Sequence, residues 1–140
     1  LACVLHLHFN TERHMALQNA IGWFDLYVDD LERATTFYET VLQQRLEPMG
    51  DPTGETVMRA FPAKMQAYGA AGALVKSAHA RPGAGGTLVY FSVADCAVEA
   101  ERVRAAGGTV VRPKFSIGAF GWVAICQDTE GNLFGLSSMV

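Results

Sequence analysis

The chain has 140 residues, enough for one ordinary domain with a real core. Half of the residues are hydrophobic and 18% are charged, which excludes an intrinsically disordered chain. The net charge of −3, without a Lys/Arg cluster, argues against nucleic-acid binding, and no apolar run approaches the ~20 residues needed to span a membrane.

Residues 1–19 read as an N-terminal extension. Leu5, Leu7 and Phe9 alternate with His6 and His8 in the period of a strand. His6 and His8 share one face but lack a third ligand at a suitable spacing, so they read as solvated edge-strand histidines. Met15 reads as a natural start, and the stretch before it lacks the marks of a signal peptide. Cys3, Cys96 and Cys126 form no C-x-x-C pair and read as reduced thiols of a cytoplasmic protein.

The first strand is Ile21 to Val28, with Phe24, Leu26 and Val28 on one face and Trp23, Asp25 and Tyr27 on the other. A helix follows to about Leu46, opened by a capping box of Asp29 and Glu32. Pro48, Gly50, Pro52 and Gly54 make a loop. Strands are expected at Thr56–Phe61 and Ala71–Lys76, with a short one near Met65–Tyr68. A linker rich in Ala, Gly and Pro, residues 77–86, leads to a strand at Thr87–Val93. Asp95 caps a second helix that runs to Ala106 and ends at Gly107-Gly108. Thr109–Arg112, Gly121–Gln127 and Asn132–Ser138 complete the strands, with a tight turn at Asp128–Asn132.

The order strand–helix–strands therefore occurs twice. Val28-Asp29-Asp30 matches Val93-Ala94-Asp95, and Gly72-Ala73 is paired with Gly135-Leu136, which points to an internal duplication. Module one spans 20–76 and module two 87–138, together one domain over 20–138.

Three stretches carry a family resemblance: Leu26-Tyr27-Val28-Asp29-Asp30-Leu31, Phe37-Tyr38-Glu39-Thr40-Val41-Leu42, and the closing Asp128-Thr129-Glu130-Gly131-Asn132-Leu133-Phe134-Gly135-Leu136. In this order they resemble the vicinal-oxygen-chelate superfamily of glyoxalases, bleomycin-resistance proteins and extradiol dioxygenases, in particular its small bacterial glyoxalase-like branch. The resemblance implies an α+β fold: two βαβββ modules forming a cupped mixed sheet with the helices outside. It also implies a homodimer.

Metal-using members of that superfamily place His, Glu or Gln on the first and last strands of each module. Carried over one by one, those positions are Trp23, Leu88, Gly72 and Gly135, which offer no ligating side chain. No metal or other cofactor is therefore expected. Strand parity assigns Trp23, Asp25, Tyr27, Leu88 and Tyr90 to the cavity wall, and Trp122 is added as an aromatic candidate. This set suits a small aromatic or cationic ligand, as in the drug-binding members. The alternative is a metal-dependent glyoxalase- or dioxygenase-type enzyme, with Asp25 the candidate general base. No catalytic residue is assigned.

Overall fold

The computed structural model describes residues 19–64 and 66–140. Residues 1–18 of the extension, with His6 and His8, and Met65 lie outside the described residues.

Both helices start at an aspartate. Helix α1 (Leu31–Leu42) is capped by Asp30, whose carboxylate accepts from the Arg33 N–H at 3.0 Å. The cap is thus one residue later than the Asp29 expected from the sequence, since it is the Asp30 carboxylate that reaches an N–H of the first turn. Leu31, Ala34, Phe37, Tyr38 and Val41 are buried on one stripe. The helix stops at Leu42, short of Leu46, because Gln43 turns left-handed at φ 51°. Leu46 is still buried, and its N–H donates to Glu39 at 3.0 Å.

Helix α2 (Cys96–Ala105) is capped by Asp95, which accepts from the Ala97 N–H at 3.0 Å. Its end is a Schellman arrangement. The Gly108 N–H reaches the Val103 carbonyl at 2.9 Å, and Gly107 sits at φ 93°, where a side chain would be strained.

The strands are β1 (Trp23–Tyr27), β2 (Glu47–Met49), β3 (Thr56–Ala60), β4 (Ala71–Ser77), β5 (Val89–Ser92), β6 (Thr109–Ser116), β7 (Trp122–Gln127) and β8 (Leu133–Ser138). Each module makes its own four-stranded mixed sheet, in the orders β1-β4-β3-β2 and β5-β8-β7-β6. In both, the first strand runs parallel to the last, as a duplication requires. The fold is therefore α+β with a repeated βαβββ unit. Strand β2 falls where a loop was expected. Its proline is tolerated because β2 is an edge strand, where the missing N–H need not break the ladder. Residues 66–69 form a turn and bends rather than the short strand expected there.

The helices pack on one face of the sheets over a shared aromatic core. Tyr38 of α1 lies between Phe61 of module one and Phe91 and Phe134 of module two, with ring centroids 5.4–5.7 Å apart. Phe24 reaches the Phe91 ring at 6.3 Å. Among the described residues, no helix is long and apolar enough to cross a membrane.

Candidate functional site

The face of each sheet opposite the helices is open around Trp23 and Tyr90, while Ala73 and Val75 on the same face are buried. In β1, Leu26 and the following Val28 are buried beneath α1, and Phe24 packs against the same core. Trp23, Asp25 and Tyr27 alternate with them and so turn to the open face. Trp23 is 42% exposed, and its indole N–H donates to Asp25 Oδ1 at 2.9 Å. That bond fixes the indole beside the carboxylate and leaves the aromatic face and Oδ2 for other partners. Across the sheet, Asp25 lies opposite Ala73, and Ala73 opposite Ala60. Both alanine side chains are small, and Ala73 is fully buried.

In module two, Tyr90 pairs with Gly135 and Ser92 with Ser137. The Tyr90 ring lies directly over Gly135, and any Cβ there would overlap it. Tyr90 is 49% exposed. Leu88, one residue before β5, is half-buried and shares the parity of Tyr90. The structure thus gathers Trp23, Asp25 and Tyr27 on one sheet, with Tyr90 and Leu88 on the other.

Two sequence-based assignments change. Trp122 does not face the open side. It pairs with Ser138, whose hydroxyl accepts from the first N–H of α2, so both lie on the helix face. There Lys114 sits 5.3 Å from the Trp122 ring and also donates to the Asp95 cap at 3.0 Å. Gly72, for its part, is not the counterpart of Gly135. It pairs with Phe24 on the core face and accommodates that ring. Asp25 pairs with Ala73 just as Tyr90 pairs with Gly135, so Ala73 holds the equivalent position. The slip arose from matching glycines where strand register decides.

The turn Asp128–Asn132 does more than reverse the chain. The Glu130 side chain is fully buried and accepts from the backbone N–H groups of Asp29 and Asp30 at 3.1 and 2.8 Å. It also takes the Arg33 Nε at 2.7 Å. Burial alone would raise the Glu130 pKa, but the bonds from Arg33, Asp30 and Thr129 outweigh it and hold the carboxyl below its ordinary range. Asp128 accepts from the buried Tyr38 hydroxyl at 2.7 Å. Burial, then the Asp128 charge, pushes the Tyr38 pKa well up, so the phenol stays a donor. Asn132 donates to the Tyr27 carbonyl at 2.8 Å and accepts from the Gly83 N–H at 2.9 Å. The signature is thus a clasp between modules. Its density of polar residues was the available signal, but the partners, some 100 residues away, were not visible.

Two concavities lie away from the open face. One, of about 450 Å³, sits at the start of α1 against Val57, Arg59 and Lys76. The other, of about 550 Å³, lies between α1 and α2 and is lined by Thr36, Phe37, Ala105 and Ala106.

A family model described as Glyoxalase/Bleomycin resistance protein/Dioxygenase superfamily matches residues 20–136. The chain belongs to this superfamily. A comparison with curated proteins finds no match. The fold is similar to that of a hypothetical protein, SA1046, from S. aureus, at 19% identity and TM-score 0.61, over 89% of this chain and 98% of that one. It is also similar to glyoxalase I from Zea mays, at 21% identity and TM-score 0.63, over 84% of this chain but 45% of the maize enzyme. A third similar structure is TnmS3, an antibiotic binding protein from Streptomyces sp. CB03234, at 24% identity and TM-score 0.59, over 86% of this chain and 95% of that one. At these identities the likeness concerns the glyoxalase-like fold.

Proposed function

We propose that this chain binds a small aromatic or cationic molecule on its open face without a metal ion. The observation that carries the reading is the Trp23–Asp25 pair, an exposed indole locked by its N–H to a carboxylate whose second oxygen has no partner among the described residues. An aromatic face beside an acceptor suits a planar ligand with a donor or a positive charge. The similarity to an antibiotic binding protein supports binding as the role.

The donor chemistry does not fit the metal centre that the family implies. The corresponding positions hold Trp23, Leu88, Ala73 and Gly135, none with a nitrogen or oxygen ligand to offer. At Gly135, a ligating side chain would have to displace the Tyr90 ring. The same reading has a homodimer in the cytoplasm, with the second copy covering Trp23, Met49 and Tyr90, which are 42%, 42% and 49% exposed in one protomer.

Calorimetry with (2-naphthyl)methylammonium and neutral 2-naphthalenemethanol tests this. Trp23→Ala is expected to abolish binding of both probes. Asp25→Asn is expected to weaken the ammonium about tenfold and spare the alcohol. Ammonium binding that survives Trp23→Ala overturns the site. Stoichiometric Ni, Zn, Mn or Fe in the purified protein, lost with Asp25→Asn, overturns the metal-free reading.

A further inference from the structure

One row of side chains crosses the whole open face of the second sheet. Tyr90 pairs with Gly135, Gly135 with Ile125, and Ile125 with Arg112. Paired residues share a face, so the side chains of Tyr90, Ile125 and Arg112 point away from the helices, with the bare backbone of Gly135 between the first two. Four strands at a spacing of about 4.8 Å put roughly 14 Å between the two ends of the row. The Tyr90 ring fills the space over Gly135 and forms the floor at one end.

Arg112 stands at the other end. The register slips between Val110 and Arg112 and again between Arg112 and Phe115. These irregularities turn both Arg112 and Phe115 to the open face, although they are three residues apart. Val110 packs on the core and Lys114 bonds to Asp95 on the helix side, which leaves that alternation consistent. The Arg112 guanidinium lies 3.5 Å from the Phe115 ring centroid. Stacking restrains a long side chain that is otherwise free to sweep. Asp25 and Glu47 lie on the other sheet, and among the described residues no carboxylate in this row faces Arg112.

We infer that Arg112, stacked on Phe115, is the anion-recognising end of this row, and that it takes the carboxylate of a planar aromatic acid lying toward Tyr90. A guanidinium offers two parallel N–H donors, which match the two oxygens of a carboxylate. Ile125 and the Tyr90 ring supply the apolar floor between the ends. The inference rests on the proposed reading of the open face as a binding surface. It adds a second subsite, of opposite charge preference to Asp25.

The test compares 2-naphthoate with neutral 2-naphthalenemethanol by calorimetry on the full chain. The unmodified protein is expected to favour the acid by about tenfold, the scale of a hydrogen bond to a charged group. Arg112→Gln removes that preference and leaves the alcohol unchanged. Phe115→Leu keeps the charge but frees the guanidinium, and lowers the preference several-fold. Arg112 is exposed, so its loss should leave the circular dichroism and melting curve intact. Equal binding of acid and alcohol, or a preference that survives Arg112→Gln, overturns the anion site. If naphthoate shows no preference while the ammonium probe still depends on Trp23, the anion site falls and the wider reading stands. Absence of binding by all three probes refutes both.

Discussion

Replacing Glu130 by alanine tests the physical basis of the module seam. In the native chain this buried carboxylate accepts two backbone N–H groups at the start of α1, from Asp29 and Asp30. A hydrogen bond to a charged group contributes about 1.5–3 kcal/mol, and a donor left without an acceptor loses that in full. The Arg33 guanidinium is about half exposed, so solvent screening makes its pairing a minor addition. Taking the lower value for each backbone bond, Glu130→Ala is expected to cost about 3 kcal/mol. For a domain of this length that corresponds to a fall in Tm of roughly 10 °C. Urea titration followed by far-ultraviolet circular dichroism at pH 7 measures the loss. Glu32→Ala, which removes an exposed partner of Arg59, serves as the control with little expected change. The effect has a definite pH sign. The folded pKa of Glu130 lies below its ordinary value of 4.5, so its contribution is complete above that value. It is lost as pH falls through the folded pKa, and the gap between native and variant must narrow in acid. A cost below about 1 kcal/mol at pH 7, or a gap that widens on acidification, would refute the reasoning.

Two further outcomes follow from the packing. Gly72→Ala should destabilise by about 1–3 kcal/mol, because Phe24 is held by Phe61 and Phe91 and has nowhere to move. Gly135→Ala should cost less than about 1 kcal/mol, since the half-exposed Tyr90 can swing away, but it should weaken naphthoate binding. Urea midpoints and calorimetry separate the two, and equal stability losses would contradict the difference in confinement. Cys96 and Cys126 are fully buried, and burial pushes the Cys126 thiol up to about 11. Iodoacetamide at pH 8 should therefore leave both unlabelled in the native protein and label both in urea. Peptide mass mapping reads this directly, and native labelling of Cys126 would show that its cover opens readily.

The sequence by itself determined the repeated strand–helix–strand order, the aspartate starts of both helices and the buried face of β1. These are short-range properties. Period-two and helical spacing, cap chemistry and turn residues all act within a few positions, so they can be read along the chain. The same parity correctly turned Trp23, Asp25 and Tyr27 away from the core. What depended on pairing between distant strands was not legible. The register of β7 against β8 decided that Trp122 faces the helices, and the register of β1 against β4 put Ala73 where Gly72 was expected. The slips in β6 brought Arg112 and Phe115 onto one face, which no uniform alternation predicts. The partners of Asp128, Glu130 and Asn132 lie in the other module or the linker. A one-residue shift in register exchanges the two faces of a strand, and nothing local penalises it. Tertiary packing alone settles that choice, and in this chain it settles which side chains a ligand could meet.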